Sequence, residues 1–186
     1  MGKDMAKNIA WLGMWLAVVW LASSATIYVA TDGDDTRTGL TDWTNAVATI
    51  SNGVAKATSS GNLVLVSNGV YTLTAQIAIT ANITVQSWNN GAVDQTNTIV
   101  NGNNGVRCFK IANTGAAING FTVFNGRAAA GAGIEIGNGT VRNCIIVSNV
   151  SDGVGGNDGG GLYLTDRLML TDCEIRDNYA KYGGAA

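Results

Sequence analysis

The chain has 186 residues, which is enough for one domain with a buried core, and its formal net charge of −2 offers no basic surface for a nucleic-acid partner. It contains no histidine, which excludes the usual base of a Ser–His or Cys–His catalytic pair and the commonest zinc and copper ligand. Only 13% of the residues are charged, while glycine, asparagine and threonine are abundant, a balance typical of many turns and half-buried strands.

Residues 1–25 have the form of a secretory signal peptide. Lys3 and Lys7 precede an unbroken apolar run over residues 9–22, and small residues follow over 23–25. The run is shorter than the roughly 20 residues that a membrane span needs. Its three tryptophans leave an uncleaved N-terminal anchor as the alternative. Both forms predict a secreted or cell-surface protein, and the mature chain is expected to have no membrane span.

Residues 26–61 are predicted to form an N-terminal cap. Apolar side chains recur at helical spacing, which predicts a short helix over about 42–57 with Thr41 or Asp42 at its N-cap. The residues that carry this spacing are Trp43, Val47, Ile50, Val54 and Ala57. Such a helix would cover apolar surface and free strand edges at the start of a repetitive β-structure.

Three carboxylates, Asp32, Asp34 and Asp35, precede this helix and were compared with known calcium-binding loops. The loop departs from the EF-hand order, because Thr36 occupies the third ligand position and Arg37 stands where glycine is required. A turn is therefore the preferred interpretation. No cofactor is predicted, and Ca²⁺ is kept as the one alternative.

Residues 62–186 carry a strand pattern that repeats. It consists of INGFTVFN (118–125), VRNCIIVSN (141–149) and LTDCEIRDN (170–178), with a second strand in CFKIAN (108–113), GIEIGN (133–138) and GLYLTD (161–166). The pattern repeats every 23 to 29 residues, and short strands with such a period are typical of a solenoid. The predicted fold is all-β, a right-handed parallel β-helix with a short N-terminal capping helix. Since residue 186 falls where another strand is expected, the chain is predicted to be truncated, with further rungs following.

Equivalent residues of the repeat are expected to stack inside the β-helix. The predicted inward columns are Ile118–Val141–Leu170, Phe121–Cys144–Cys173 and Val123–Ile146–Ile175, with Asn125, Asn149 and Asn178 at the corners. For Cys144 and Cys173, a ladder of buried thiols is preferred to a disulfide, because parallel side chains hold their Cβ atoms too far apart.

Two groups of residues are candidates for ligand binding. Asp152, Asn157 and Asp158 lie in the longest glycine-rich connection, where a flexible spacer is the alternative interpretation. Arg142, Glu174 and Arg176 lie on outward strand positions, where alternate charges on a solvated strand are the simpler explanation. No catalytic residue and no metal ligand is predicted.

The segments TIYVATDGDDTRTGLTDWTNAVATI, NLVLVSNGVYTLTAQIAITANITVQSW, TIVNGNNGVRCFKI and INGFTVFNG resemble the N-terminal part of secreted bacterial β-helix proteins of the pectin-lyase-like superfamily. The likeness covers about residues 27–186 and is nearest to the large cell-surface members. The signal-like segment, the repeat rich in asparagine, threonine and glycine, and the lack of an acidic-basic cluster in the sequence favour a glycan-binding, adhesive or structural module. The alternative is a polysaccharide lyase or glycosidase with its catalytic face in missing rungs. The chain holds no match to the calcium ligands and arginine base of pectate lyases, so no catalytic residue is carried over.

Overall fold

The structure, a computed structural model, describes residues 24–153 and 158–182. Almost all of the predicted signal peptide, together with Asn157, lies outside these ranges. The fold is all-β with parallel sheets and one α-helix, as the sequence predicts. No helix in the two described ranges has the length and apolarity that crossing a membrane requires.

The strands are short and follow one another in a regular order. In chain order they are β1 (Thr26–Val29), β2 (Leu63–Ser67), β3 (Gly69–Thr72), β4 (Ile77–Ile79), β5 (Thr84–Trp88), β6 (Thr98–Asn101), β7 (Phe109–Asn119), β8 (Thr122–Phe124), β9 (Arg127–Ala128), β10 (Ile134–Arg142), β11 (Ile145–Val147), β12 (Val150–Ser151), β13 (Leu162–Thr171), β14 (Glu174–Arg176) and β15 (Tyr179–Ala180).

These strands form three parallel sheets that the chain visits in turn. The first has the order β1-β2-β5-β7-β10-β13, with β4 also paired to β7, the second β3-β6-β8-β11-β14, and the third β9-β12-β15. We call one passage through the three sheets a circuit; β10, β11 and β12 make one, and β13, β14 and β15 make the next. Each circuit therefore lies on the one before it, strand against equivalent strand.

The predicted register of the repeat is confirmed by the strand pairing. Val141 pairs with Ile118 on one side and Leu170 on the other, and Ile146 pairs with Val123 and Ile175. Alternate apolar residues point inward and fill the space between the sheets, where Phe109 and Phe121 pack with ring centroids 5.9 Å apart.

Burial declines in the circuit of β13 to β15. Leu170 occupies its predicted column but remains 38% exposed, and Leu164 is 46% exposed. The physical reason is that β13 lies at the edge of its sheet and packs against β10 on one side only.

Asn125 lies at a corner as predicted, but the other two corners lie one residue before the predicted Asn149 and Asn178. The residue in the left-handed region is Asn125 in one circuit, Ser148 in the next and Asp177 in the third, with φ of 56°, 55° and 54°. Asn149 and Asn178 follow the corner instead of forming it, so Asn125 is not their equivalent. Asn149 and Asn178 do bond across circuits, with Asn149 Nδ2 3.0 Å from Asn178 Oδ1.

The cap contains less helix than predicted. A 3-10 turn spans Trp43–Asn45 and the α-helix, α1, spans only Ile50–Lys56, with Thr49 as its N-cap. Between them Val47 is extended and bridges Val29, because its N–H donates to Tyr28 O at 3.0 Å and its carbonyl accepts from Ala30 N at 2.9 Å. Residues that the helical spacing assigned to a helix therefore lie at the edge of the first sheet.

Helix α1 packs against β1, β2 and β4 at the start of the first sheet. Gly53 faces this contact, where an added Cβ would lie 2.5 Å from Val29 Cγ2 and 3.0 Å from Val64 Cγ1. A glycine that weakens the helix in isolation is therefore needed for its close approach to the strands.

Candidate functional site

The glycine-rich connection does not gather its predicted residues into one polar site within the described ranges. Asp152 is exposed and pairs with Arg127, whose Nη2 lies 2.9 Å from Asp152 Oδ2. Asp158 is only 5% exposed, its N–H donates to Tyr182 O at 3.2 Å, and its Oδ2 is buried without a hydrogen-bond partner. Asn157 lies outside the described residues.

The outward charges of the second group lie on two different sheets. Glu174 and Arg176 are neighbours on β14, with Oε1 and Nε 2.6 Å apart, and Arg176 Nη1 also lies 2.9 Å from Asp177 Oδ2. The hydrogen bonds from Arg176 to Asp177 and Glu174 raise the pKa of the guanidinium. Arg142 ends β10 in the first sheet, in register with Asn119 and Thr171.

A denser charge cluster lies on the outer face of the first sheet, where the sequence predicts the Lys110–Glu135 pair across strands but not the contribution of Arg107. Glu135 lies 2.8 Å from Lys110 Nζ and 2.7 Å from Arg107 Nη2. Arg107 also donates to the carbonyls of Gly131 and Ala130, at 3.0 and 2.9 Å, and to Gln76 Oε1 at 2.7 Å. Since protein acceptors surround this guanidinium, the cluster joins loops and strands and has little capacity left for a ligand.

The cysteines are free in the structure. Cys144 is buried and Cys173 half-buried, and they directly precede the paired strands β11 and β14, as the column predicts. The thiol of Cys144 lowers the pKa of Cys173 to about 7 through a hydrogen bond, whereas that bond and burial raise the pKa of Cys144. Burial raises the pKa of Cys108 to about 12.

A cleft of about 430 Å³ lies between the cap and the chain that leads from β3 to β4. Its walls combine serine and threonine hydroxyls and one amide, that of Asn52, with apolar side chains. The cap contributes Thr31, Asp35, Ala48, Thr49, Ile50, Ser51 and Asn52, and the facing segment contributes Val70, Tyr71, Thr72, Leu73, Thr74 and Ala75. We call this space the cap cleft.

Asp35 holds the cap side of the cleft together. Its Oδ1 accepts from the N–H groups of Ala48 and Thr49 at 2.8 and 2.9 Å, and its Oδ2 accepts from the Thr49 hydroxyl at 3.0 Å. Partial burial acts to raise the pKa of Asp35, but the hydrogen bonds from Thr49, Asn52 and Ala48 outweigh it and lower the pKa. This carboxylate therefore orients the start of α1.

The other carboxylates of the loop are not arranged around Asp35. Asp34 accepts from the N–H and hydroxyl of Thr36 at 2.9 and 2.8 Å, which forms a tight turn. Within the described residues, no cluster of three or more cysteine or acidic side chains could hold a metal ion.

Tyr71 forms the floor of the cap cleft. Its ring is buried, and its hydroxyl donates to Ser67 O at 3.0 Å and lies 3.2 Å from Ser67 Oγ. Burial raises the pKa of Tyr71 to about 12, so the phenol is neutral and can act only as a hydrogen-bonding group.

Sequence reasoning did not find the cap cleft. The outward hydroxyls Thr72 and Thr74 are visible in the alternation of YTLT, but the opposite wall depends on α1 beginning at Ile50. A helix beginning at residue 42 would place different side chains there.

Comparison with known proteins adds no relative. The chain matches no protein-family model, no curated protein and no solved structure.

Proposed function

We propose that the protein is an exported right-handed parallel β-helix that binds neutral glycans in its cap cleft. Three parallel sheets visited in turn, with equivalent residues in register, support the β-helix. The usual preference for right-handed crossovers supports its hand. The likeness of residues 27–186 to pectin-lyase-like cell-surface proteins supports a carbohydrate-related role.

The chemistry of the cap cleft carries the proposal for glycan binding. Its volume of about 430 Å³ is in the range of small-molecule sites, about 300–1,000 Å³. Hydroxyl and amide side chains both donate and accept, as sugar hydroxyls require. Among the residues that the structure describes, the lining contains one carboxylate, Asp35, which is already hydrogen-bonded, and no lysine or arginine, so an uncharged sugar is favoured over a uronate or a sulfated sugar.

Export is proposed from the signal-like segment, and β1 begins at Thr26, directly after the predicted cleavage position. Expression of the full chain in a secreting bacterial host, followed by mass determination of the exported product, tests this. A product that starts near residue 26 is expected. A product that retains Met1 contradicts cleavage and supports the uncleaved anchor.

Glycan binding is tested by screening the full chain against neutral and acidic polysaccharides, with affinity measured by calorimetry. Thr72→Arg puts a long charged side chain into the cap cleft and is expected to abolish binding. Thr171→Arg, an exposed threonine on β13, is the matched control and is expected to bind like the wild type.

Two results would contradict the proposal. One is the absence of wild-type binding to every polysaccharide, and the other is equal binding by Thr72→Arg. Release of reducing sugars or of unsaturated products from any of these polysaccharides would instead support the alternative, a glycosidase or polysaccharide lyase.

A further inference from the structure

A second cavity of about 390 Å³ continues the cap cleft along helix α1. Ser51 lines both cavities, so the two spaces adjoin at the start of α1. On one side the second cavity is bounded by Val54, Ala55, Ala57 and Thr58, and on the other by Gln76, Ala78, Thr80 and Ala81. Together the two cavities form a groove between the cap and the segment 70–81, which we call the cap groove.

One wall of the cap groove is the free edge of strand β4. Ile77 N–H donates to Cys108 O at 3.0 Å, and Ala78 pairs with Lys110 in parallel register. In a parallel ladder the backbone groups of successive residues point to opposite sides. The N–H and carbonyl of Ala78 therefore point away from β7, towards α1 and into the second cavity.

The side chains of this wall leave space for a ligand and supply hydrogen bonds along it. Ala78 is exposed and small, and Thr80 adds a hydroxyl two residues further on. Gln76 Oε1 is already the acceptor for Arg107 Nη1 at 2.7 Å, which leaves the amide NH₂ of Gln76 to donate. Within residues 24–153 and 158–182, no lysine or arginine lines either cavity.

We propose that the cap groove binds an internal stretch of a linear, uncharged polysaccharide rather than a single sugar. The inference rests on the proposed function and extends it. One part of the chain lies in the cap cleft beside Thr72, and the chain continues past Ser51 along the β4 edge, where Ala78 N–H and C=O bond to sugar hydroxyls. Exposed residues at the two ends, Thr74 and Thr80, allow the polysaccharide to enter and leave the groove.

The test is the dependence of affinity on ligand length. Neutral β-1,4-linked glucose, xylose and mannose oligomers, from dimers to hexamers, are titrated into the full chain by calorimetry. At least one series is expected to gain tenfold or more in affinity between dimer and hexamer. Ala78→Arg fills the second cavity and is expected to remove this gain while leaving the dimer affinity unchanged.

The matched control is Ala112→Arg, an exposed alanine on the neighbouring strand β7 that lines neither cavity, which is expected to keep the full gain. Thermal unfolding checks that both variants are folded. If Ala78→Arg does not fold, Thr58→Arg, on the opposite wall of the second cavity, replaces it.

The outcomes separate this inference from the proposed function. Affinity that is independent of length, or a gain that survives Ala78→Arg, overturns the extended groove but leaves the cap cleft intact. A wild type that binds none of these oligomers, and none of the polysaccharides tested for the cap cleft, overturns both. Binding of an uncharged extended peptide at the β4 edge, together with the absence of a length gain in every oligosaccharide series, also overturns the inference, because it identifies the β4 edge as a polypeptide site.

Discussion

Replacing Asn149 by alanine should be among the most destabilising single changes in this protein. The side chain is fully buried, its Oδ1 accepts from Gly126 N–H at 2.8 Å, and its Nδ2 lies 3.0 Å from Val123 O and 3.1 Å from Val147 O. It thus joins neighbouring circuits where the chain leaves the second sheet.

The magnitude follows from the groups that alanine would leave unpaired. Each buried polar group without a hydrogen-bond partner costs about 1–3 kcal/mol, and the substitution leaves at least the Gly126 N–H and one carbonyl without a partner. We expect Asn149→Ala to lower the free energy of unfolding by about 3–5 kcal/mol, a large part of the about 5–15 kcal/mol that stabilises a typical domain.

Guanidinium unfolding followed by far-UV circular dichroism measures this loss. Asn138→Ala is the control, since Asn138 bonds Asp166 Oδ2 at 2.8 Å on the exposed surface and its loss should cost under about 1 kcal/mol. A loss at Asn149 below about 1 kcal/mol, or one equal to that at Asn138, would refute the role assigned to the buried amide.

Three further predictions concern the charge cluster, the thiols and the cap. Arg107→Met should lower the free energy of unfolding by about 2 kcal/mol and Lys110→Met by under about 1 kcal/mol. The reason is that Arg107 is the more buried partner of Glu135 and also donates hydrogen bonds to two backbone carbonyls. Equal losses for the two variants in urea unfolding would contradict this. Iodoacetamide should modify Cys173 first, at a rate that rises through a pH of about 7 as the thiolate forms, while Cys108 should react only after unfolding. Peptide mass mapping checks this order, and early modification of Cys108 would contradict it. Gly53→Ala should lower the free energy of unfolding by about 1–3 kcal/mol, because the new Cβ would collide with Val29 even though alanine has the better helix propensity. A rise in melting temperature would contradict this and show that α1 can shift to accommodate the Cβ.

The register of the repeat could be predicted because it depends on local alternation. Ile118 and Val141 are apolar at positions whose neighbours are polar or small, and a shift of the register by one residue would expose them. Two of the three corners were misplaced by one residue because the aligned segments end on asparagine, whereas the left-handed position tolerates Asn125, Ser148 and Asp177 alike. Residue type alone did not distinguish the corner from the buried amide that follows it.

The cap and its cleft could not be predicted because they depend on contacts distant in sequence. Val47 fits a helical pattern, but its pairing with Val29 supplies the backbone hydrogen bonds that a helix would otherwise provide. Because of this pairing, α1 begins only at Ile50, and this start determines which hydroxyl side chains face Thr72. The candidate ligand residues chosen from sequence were charged apart from Asn157, whereas the lining of the cleft is uncharged apart from Asp35, and only the fold brings these side chains together.

The corner between the first and second sheets accepts very different lengths of chain. Asn68 alone joins β2 to β3, whereas residues 89–97 join β5 to β6 in the next circuit, yet Ser67 still pairs with Trp88 and Gly69 with Thr98. Asp94 closes the longer segment on itself, through bonds to Asn89 and Asn97 at 2.7 Å each. A self-contained loop can therefore be grafted at this corner without altering the ladders beside it, which makes the corner an entry point for new binding sequences, whether acquired in evolution or introduced by design.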